Sequence, residues 1–172
     1  MKSITLRLLS PSLFKFLLLL VAVPALAAAS DIQGWLVLNP FAPECILSTD
    51  MLEQSRLVHA GWKVTGTGLL HTSGDASTGQ LYRMVKPLPT GALRALAASA
   101  EELSANLKAG FVTEGALGHV SLKAGPGLVA VNRFTKDGKY LWLISPADQS
   151  WAEKNGWKRE RTVFWLWPNQ YR

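Results

Sequence analysis

The chain has 172 residues, and 18 lysines and arginines against 12 acids give it a formal charge of +6. A chain of this length makes one domain with a sizeable apolar core, and a single cysteine, Cys45, excludes an internal disulfide. Three of the cations, Lys2, Arg7 and Lys15, lie in the first fifteen residues. Without them the excess falls from +6 to +3, which makes no case for nucleic-acid binding; what remains concentrates in Lys154, Lys158, Arg159 and Arg161, a cluster that reads as a solvated strand face.

Residues 1–29 read as a cleavable export signal. A cationic start is followed by the uncharged run Phe16–Val23, shorter than the ~20 apolar residues of a spanning helix. Pro24 breaks that run, and Ala25-Leu26-Ala27-Ala28-Ala29 offers small residues to a signal peptidase. The chain from Ser30 to Arg172 is then expected to be periplasmic or secreted, without a further membrane span.

Behind the signal the chain divides into three similar parts, about 31–78, 79–126 and 127–172. In the first, Trp35-Leu36-Val37-Leu38 predicts a strand and Asn39-Pro40-Phe41-Ala42-Pro43 a turn. A helix follows from Asp50 as N-cap, with Glu53 three residues on and Gly61-Trp62 at its end. The joint Asp75-Ala76-Ser77-Thr78-Gly79 leads to a second copy. There Gln80–Val85 is the strand, Lys86–Gly91 the turn, Ser99 the cap, Glu102 the acid and Gly110-Phe111 the terminator. After Ala124-Gly125-Pro126-Gly127 the third copy shows Leu128–Val131, the turn Thr135–Gly138, the strand Lys139–Ile144, and then Ser145, Asp148 and Gly156-Trp157. Pro146 suits the first helical position, and Arg161–Trp167 reads as a closing strand. Each acid is expected to return a bond to its cap and to favour the positive end of its helix.

The predicted fold is therefore α+β. Three strand–turn–strand–helix–strand repeats would close around a pseudo-threefold axis, in the manner of a β-trefoil or a small propeller or barrel.

The candidate chemistry is sparse. His59, His71 and His119 have no metal-ligand spacing, so neither metal nor cofactor is expected. Glu53, Glu102 and Asp148 are explained by their cap positions, and Cys45 reads as a buried small hydrophobe. The glycines of Thr65-Gly66-Thr67-Gly68 and Gly115-Ala116-Leu117-Gly118 fall in strands, where they mark bends more often than phosphate cradles. Tryptophan is the informative residue type: there are seven, and Trp142, Trp151, Trp165 and Trp167 crowd into the last third. Since Phe164 and Leu166 alternate with Trp165 and Trp167, one pair should face the core. An outward Trp165/Trp167 ledge beside Arg159 and Arg161, with Trp142 near by, would suit a sugar ring or a protein hot spot. A strand buried on both faces is the competing reading.

The segments Leu38-Asn39-Pro40, Ser48-Thr49-Asp50, Glu53 and Ala60-Gly61-Trp62 resemble the repeats of the DUF5648 family, secreted bacterial modules that often accompany cell-wall hydrolases. Gly66, Glu114 and Gly115 match the family's "YEG" segment, and the resemblance covers essentially the whole chain after the signal. The family's His-aromatic-Tyr-Thr run is not kept: its histidine falls on Cys45, Arg94 and Tyr140. The resemblance implies a binding or accessory module with envelope glycan as ligand, and because the residues assemble no catalytic constellation, no enzyme is expected. A protein partner, for example an envelope-acting enzyme that the chain inhibits or protects against, is the alternative.

Overall fold

The computed structural model describes residues 30–42, 44–89 and 91–169, so the expected export signal at 1–29 lies outside the described residues. Strands β1 (Asp31–Asn39) and β2 (Glu44–Ser48), helix α1 (Met51–His59) and strand β3 (Lys63–His71) come first. They are followed by β4 (Thr78–Leu88), β5 (Gly91–Ala97), α2 (Ala100–Lys108) and β6 (Val112–Ser121). The last third holds β7 (Val129–Lys136), β8 (Lys139–Leu143), α3 (Pro146–Lys154) and β9 (Lys158–Leu166). No helix among these is long and apolar enough to cross a membrane.

The helices begin and end on local chemistry. The side chains of Asp50, Ser99 and Ser145 accept the N–H of Leu52, Glu102 and Asp148 and so cap the three N-termini. At the other ends Gly61, Gly110 and Gly156 take φ of 89, 87 and 81°, a region that costs an L side chain energy but not glycine. The N–H of each following aromatic then reaches back five residues, Trp62 to Leu57, Phe111 to Asn106 and Trp157 to Ala152, each at 3.0 Å. Phe111 and Trp157 bury their rings over the last turn, whereas Trp62 remains half-exposed.

The acids expected to complete these caps do something else. Glu102 accepts from the N–H of Ala98, one residue before the cap, and also from Arg133 and Arg161 of the last third. Glu53 takes Arg83 at 2.6 Å together with the Ser48 hydroxyl, and Asp148 takes Lys63 at 3.0 Å. Every one of these cations comes from a different third of the chain. A full guanidinium or ammonium charge outcompetes a single backbone N–H for a partly buried carboxylate. The caps thus become ties between units. Arg83 and Arg133 occupy matching places, opposite Leu96 on β5 and Trp142 on β8. The matching place on β1, opposite Leu47, is the fully buried Leu36. Burial alone would raise the Glu53 carboxyl, but hydrogen bonds from Arg83 and Ser48 and the charges of Arg83 and Arg94 hold it below the usual carboxylate range.

The expected closed, trefoil-like or propeller-like α+β body is not formed. The protein is mostly antiparallel β: among the described residues 54% are strand and 20% helix, and the nine strands make one open sheet. Within each third the ladder is complete, with orders β2-β1-β3, β5-β4-β6 and β8-β7-β9. Between thirds it shrinks to single register pairs, His71 opposite His119 and Ser121 opposite Trp165, plus an isolated bridge from Trp167 to Leu69. The hydrogen-bonding capacity of the backbone is spent inside each unit, and β2, β5 and β8 each pair on one side only.

What joins the thirds is side-chain packing. One core contains Leu36 and Leu47, Leu81 and Leu96, and Phe134, Trp142 and Phe164. A smaller cluster of Met84, Ala95, Ala97 and Phe111 lies towards α2 and packs on Leu103. Helices α1 and α2 bury no residue and α3 buries only Asp148 and Ala152, so the core belongs to the sheet. The glycines of β3 have a packing reason. A Cβ on Gly66 would stand 2.8 Å from Ile144 Cδ1, and one on Gly68 2.6 Å from Leu166 Cβ. Their absence lets side chains of the last third close on the first.

Candidate functional site

The ends of β3 and β6, with β9 and the residue after it, place two kinds of side chain on the two faces of the sheet. Leu70, Val120, Phe164 and Leu166 point into the core and are buried. The alternate positions, Leu69 and His71, His119 and Ser121, Trp165 and Trp167, therefore share the opposite face. Cross-strand register assembles them: Asp31 lies opposite His71, His71 opposite His119, Ser121 opposite Trp165, and Thr78 opposite Ser121.

At the centre the ring of His71 stacks on that of Trp167, with centroids 3.6 Å apart and planes at 17°. His71 Nε2 is 3.5 Å from Asp31 Oδ1. His119 Nδ1 is buried without a hydrogen-bond partner. Beside the stack opens a cavity of about 460 Å³, walled by Trp167 and His71 and otherwise by the polar loop Ser73–Thr78, Ser121 and Leu128. Asp75 shapes that loop. Its Oδ1 accepts from the Ser77 hydroxyl at 2.7 Å and the Ser77 N–H at 2.8 Å, and these bonds hold its carboxyl below the usual range.

The residues singled out from the sequence fall in three places. Trp165 and Trp167 lie together on the half-exposed face just described. Arg159 and Arg161 do not join them. They lie opposite Phe134 and Arg133, with Arg159 donating to Asn132 at 2.7 Å and Arg161 bound to Glu102. Four residues of extended chain, roughly 13 Å, separate Arg161 from Trp165. Trp142 is 1% exposed and belongs to the core, so it cannot line a surface ledge. The remaining members of the site, Asp31, Asp75, Thr78 and Ser121, have no sequence signal of their own.

Two cavities elsewhere on the protein offer less to a ligand. The larger, about 580 Å³, runs along α1 between Asp50, Glu53, Arg56, Arg83 and Leu117, but Glu53 and Arg83 neutralise each other on its floor. The smaller, about 150 Å³, collects Cys45, Arg94 and Tyr140, the three positions where the repeat pattern carries histidine, with Glu44 and Lys139. Arg94 is committed to Glu44 at 2.7 Å and Glu114 at 2.8 Å. Burial pushes the Cys45 thiol up to about 12, and its Sγ lies 3.4 Å from the Trp142 carbonyl it donates to. A small alkylating reagent at neutral pH should therefore label Cys45 only as fast as the protein unfolds. Rapid stoichiometric labelling of the folded protein would show the thiol to be accessible after all.

No curated protein and no solved structure matches the chain significantly. The family model described as "Domain of unknown function (DUF5648)" matches residues 36–167, which include every strand from the middle of β1 to the end of β9. The chain belongs to the DUF5648 family.

Proposed function

We propose that this protein is an exported, non-enzymatic module that binds envelope glycan on the face carrying Trp165 and Trp167. The export signal in residues 1–29 is the reason for assigning it to the periplasm or the exterior. The observation that carries the ligand assignment is the Trp167–His71 stack at the edge of a hydroxyl- and carboxylate-lined groove. Sugar rings present C–H faces that pack on indole and hydroxyls that bond to Ser, Thr and Asp, which is the chemistry this groove offers.

The expected result is retention of the purified protein on peptidoglycan or another insoluble envelope polysaccharide, weakened about tenfold or more in Trp167→Ala. The backbone bonds of Trp167 to Leu69 survive that change, so the fold should too. Absence of retention on every glycan offered would reject the reading.

A protein partner is the second reading. It is favoured by exposed apolar side chains in the first third, Phe41 at 86% and Met51, Leu52 and Val58 on α1. It predicts one partner that co-purifies at stoichiometric yield and whose binding Trp167→Ala leaves intact.

A further inference from the structure

The chain is basic, yet the groove beside Trp167 is not. Even without the cations of residues 1–29 the net charge is positive, and among the described residues no lysine or arginine lines this cavity. The charged groups at the Trp167–His71 stack are carboxylates: Asp75 in the lining and Asp31 next to His71. Arg159 and Arg161 are held by Asn132 and Glu102 farther along β9.

On the reading that this groove binds glycan, we infer that it selects sugars bearing a free amine, such as de-N-acetylated hexosamine, with the ring on Trp167 and the ammonium at Asp75. Both Ser77 bonds fall on Oδ1 of Asp75 and orient its carboxylate within the lining. His71 is already engaged by Asp31 at 3.5 Å, which leaves Asp75 as the carboxylate of the lining. The bulk field of a cationic protein repels a cationic sugar, so any preference for the amine has to come from these local carboxylates. An anionic sugar, by contrast, would meet the Asp75 carboxylate, with no lysine or arginine among the described lining residues.

The test compares soluble glucosamine, N-acetylglucosamine and galacturonate oligomers of equal length by quenching of tryptophan fluorescence. Mildly acidic buffer keeps the sugar amine charged. The glucosamine oligomer should bind about tenfold more tightly than the acetylated one, and the uronate should bind weakest. Asp75→Asn keeps an oxygen to accept from Ser77 and should bring the two hexosamine affinities within about twofold. Equal affinities in the wild type, a preference for the acetylated or uronic oligomer, or a preference unchanged in Asp75→Asn would overturn the inference and leave glycan binding itself standing. If no oligomer binds, and Trp167→Ala changes nothing, the glycan reading falls and this inference with it.

Discussion

Replacing Trp142 with alanine should cost the protein about 3–5 kcal/mol of stability, the largest effect expected of any single side chain here. Trp142 heads the fully buried side chains and lies in the one cluster to which all three thirds contribute. Those thirds are joined by few backbone bonds, so a void at this point loosens the contact on which they most depend. For a domain of this size the loss should appear as a fall in Tm of about 10 °C. The phenylalanine variant separates packing from polarity. Among the described residues the Trp142 Nε1 is buried without a partner, and an unpaired buried N–H is itself destabilising by about 1–3 kcal/mol. Trp142→Phe gives up part of the packing but relieves that group, and should cost less than half as much as Trp142→Ala. Equal costs for the two variants would mean that the indole N–H is satisfied. Because Trp142 is core, its phenylalanine variant should leave any binding on the Trp167 face unchanged.

The second large effect is expected at Glu102. Its side chain is 18% exposed and gathers Arg133, Arg161 and the Ala98 N–H. Glu102→Gln keeps the shape and removes the charge, leaving Arg133 to Glu160 alone and Arg161 without its carboxylate. Breaking a fully buried pair costs about 3–5 kcal/mol. Partial exposure of the arginines reduces that to about 2 kcal/mol here. Chemical denaturation of the two proteins measures it directly. A difference below about 0.5 kcal/mol would show these pairs to be ordinary surface contacts. The same change at Glu160, which meets only Arg133, should cost less.

How far the fold was legible follows from the range of the interactions. Asp50, Ser99 and Ser145 with Gly61, Gly110 and Gly156 could be read because a cap acts within one helical turn. The roles of Glu53, Glu102 and Asp148 could not, because their partners lie 30, 31 and 59, and 85 residues away. Closure into a trefoil-like body was expected from the repeat alone. Whether neighbouring units pair by ladders or by single bridges depends on strand ends such as Ser121–Trp165, which carry no local signal.

The same distinction divides the site. Alternation along β9 separated Phe164 and Leu166 from Trp165 and Trp167, and the sequence by itself determined that these pairs face opposite ways. It also determined the three capped helices and the commitment of Cys45 to an apolar stretch, all of which depend on neighbours a few residues apart. Only the tertiary structure decided that His71 stacks on Trp167, that Arg159 and Arg161 turn to other partners, and that Trp142 is interior. Those outcomes depend on which strands meet at which register. Register is settled by the sum of long-range packing, not by any one residue's preference.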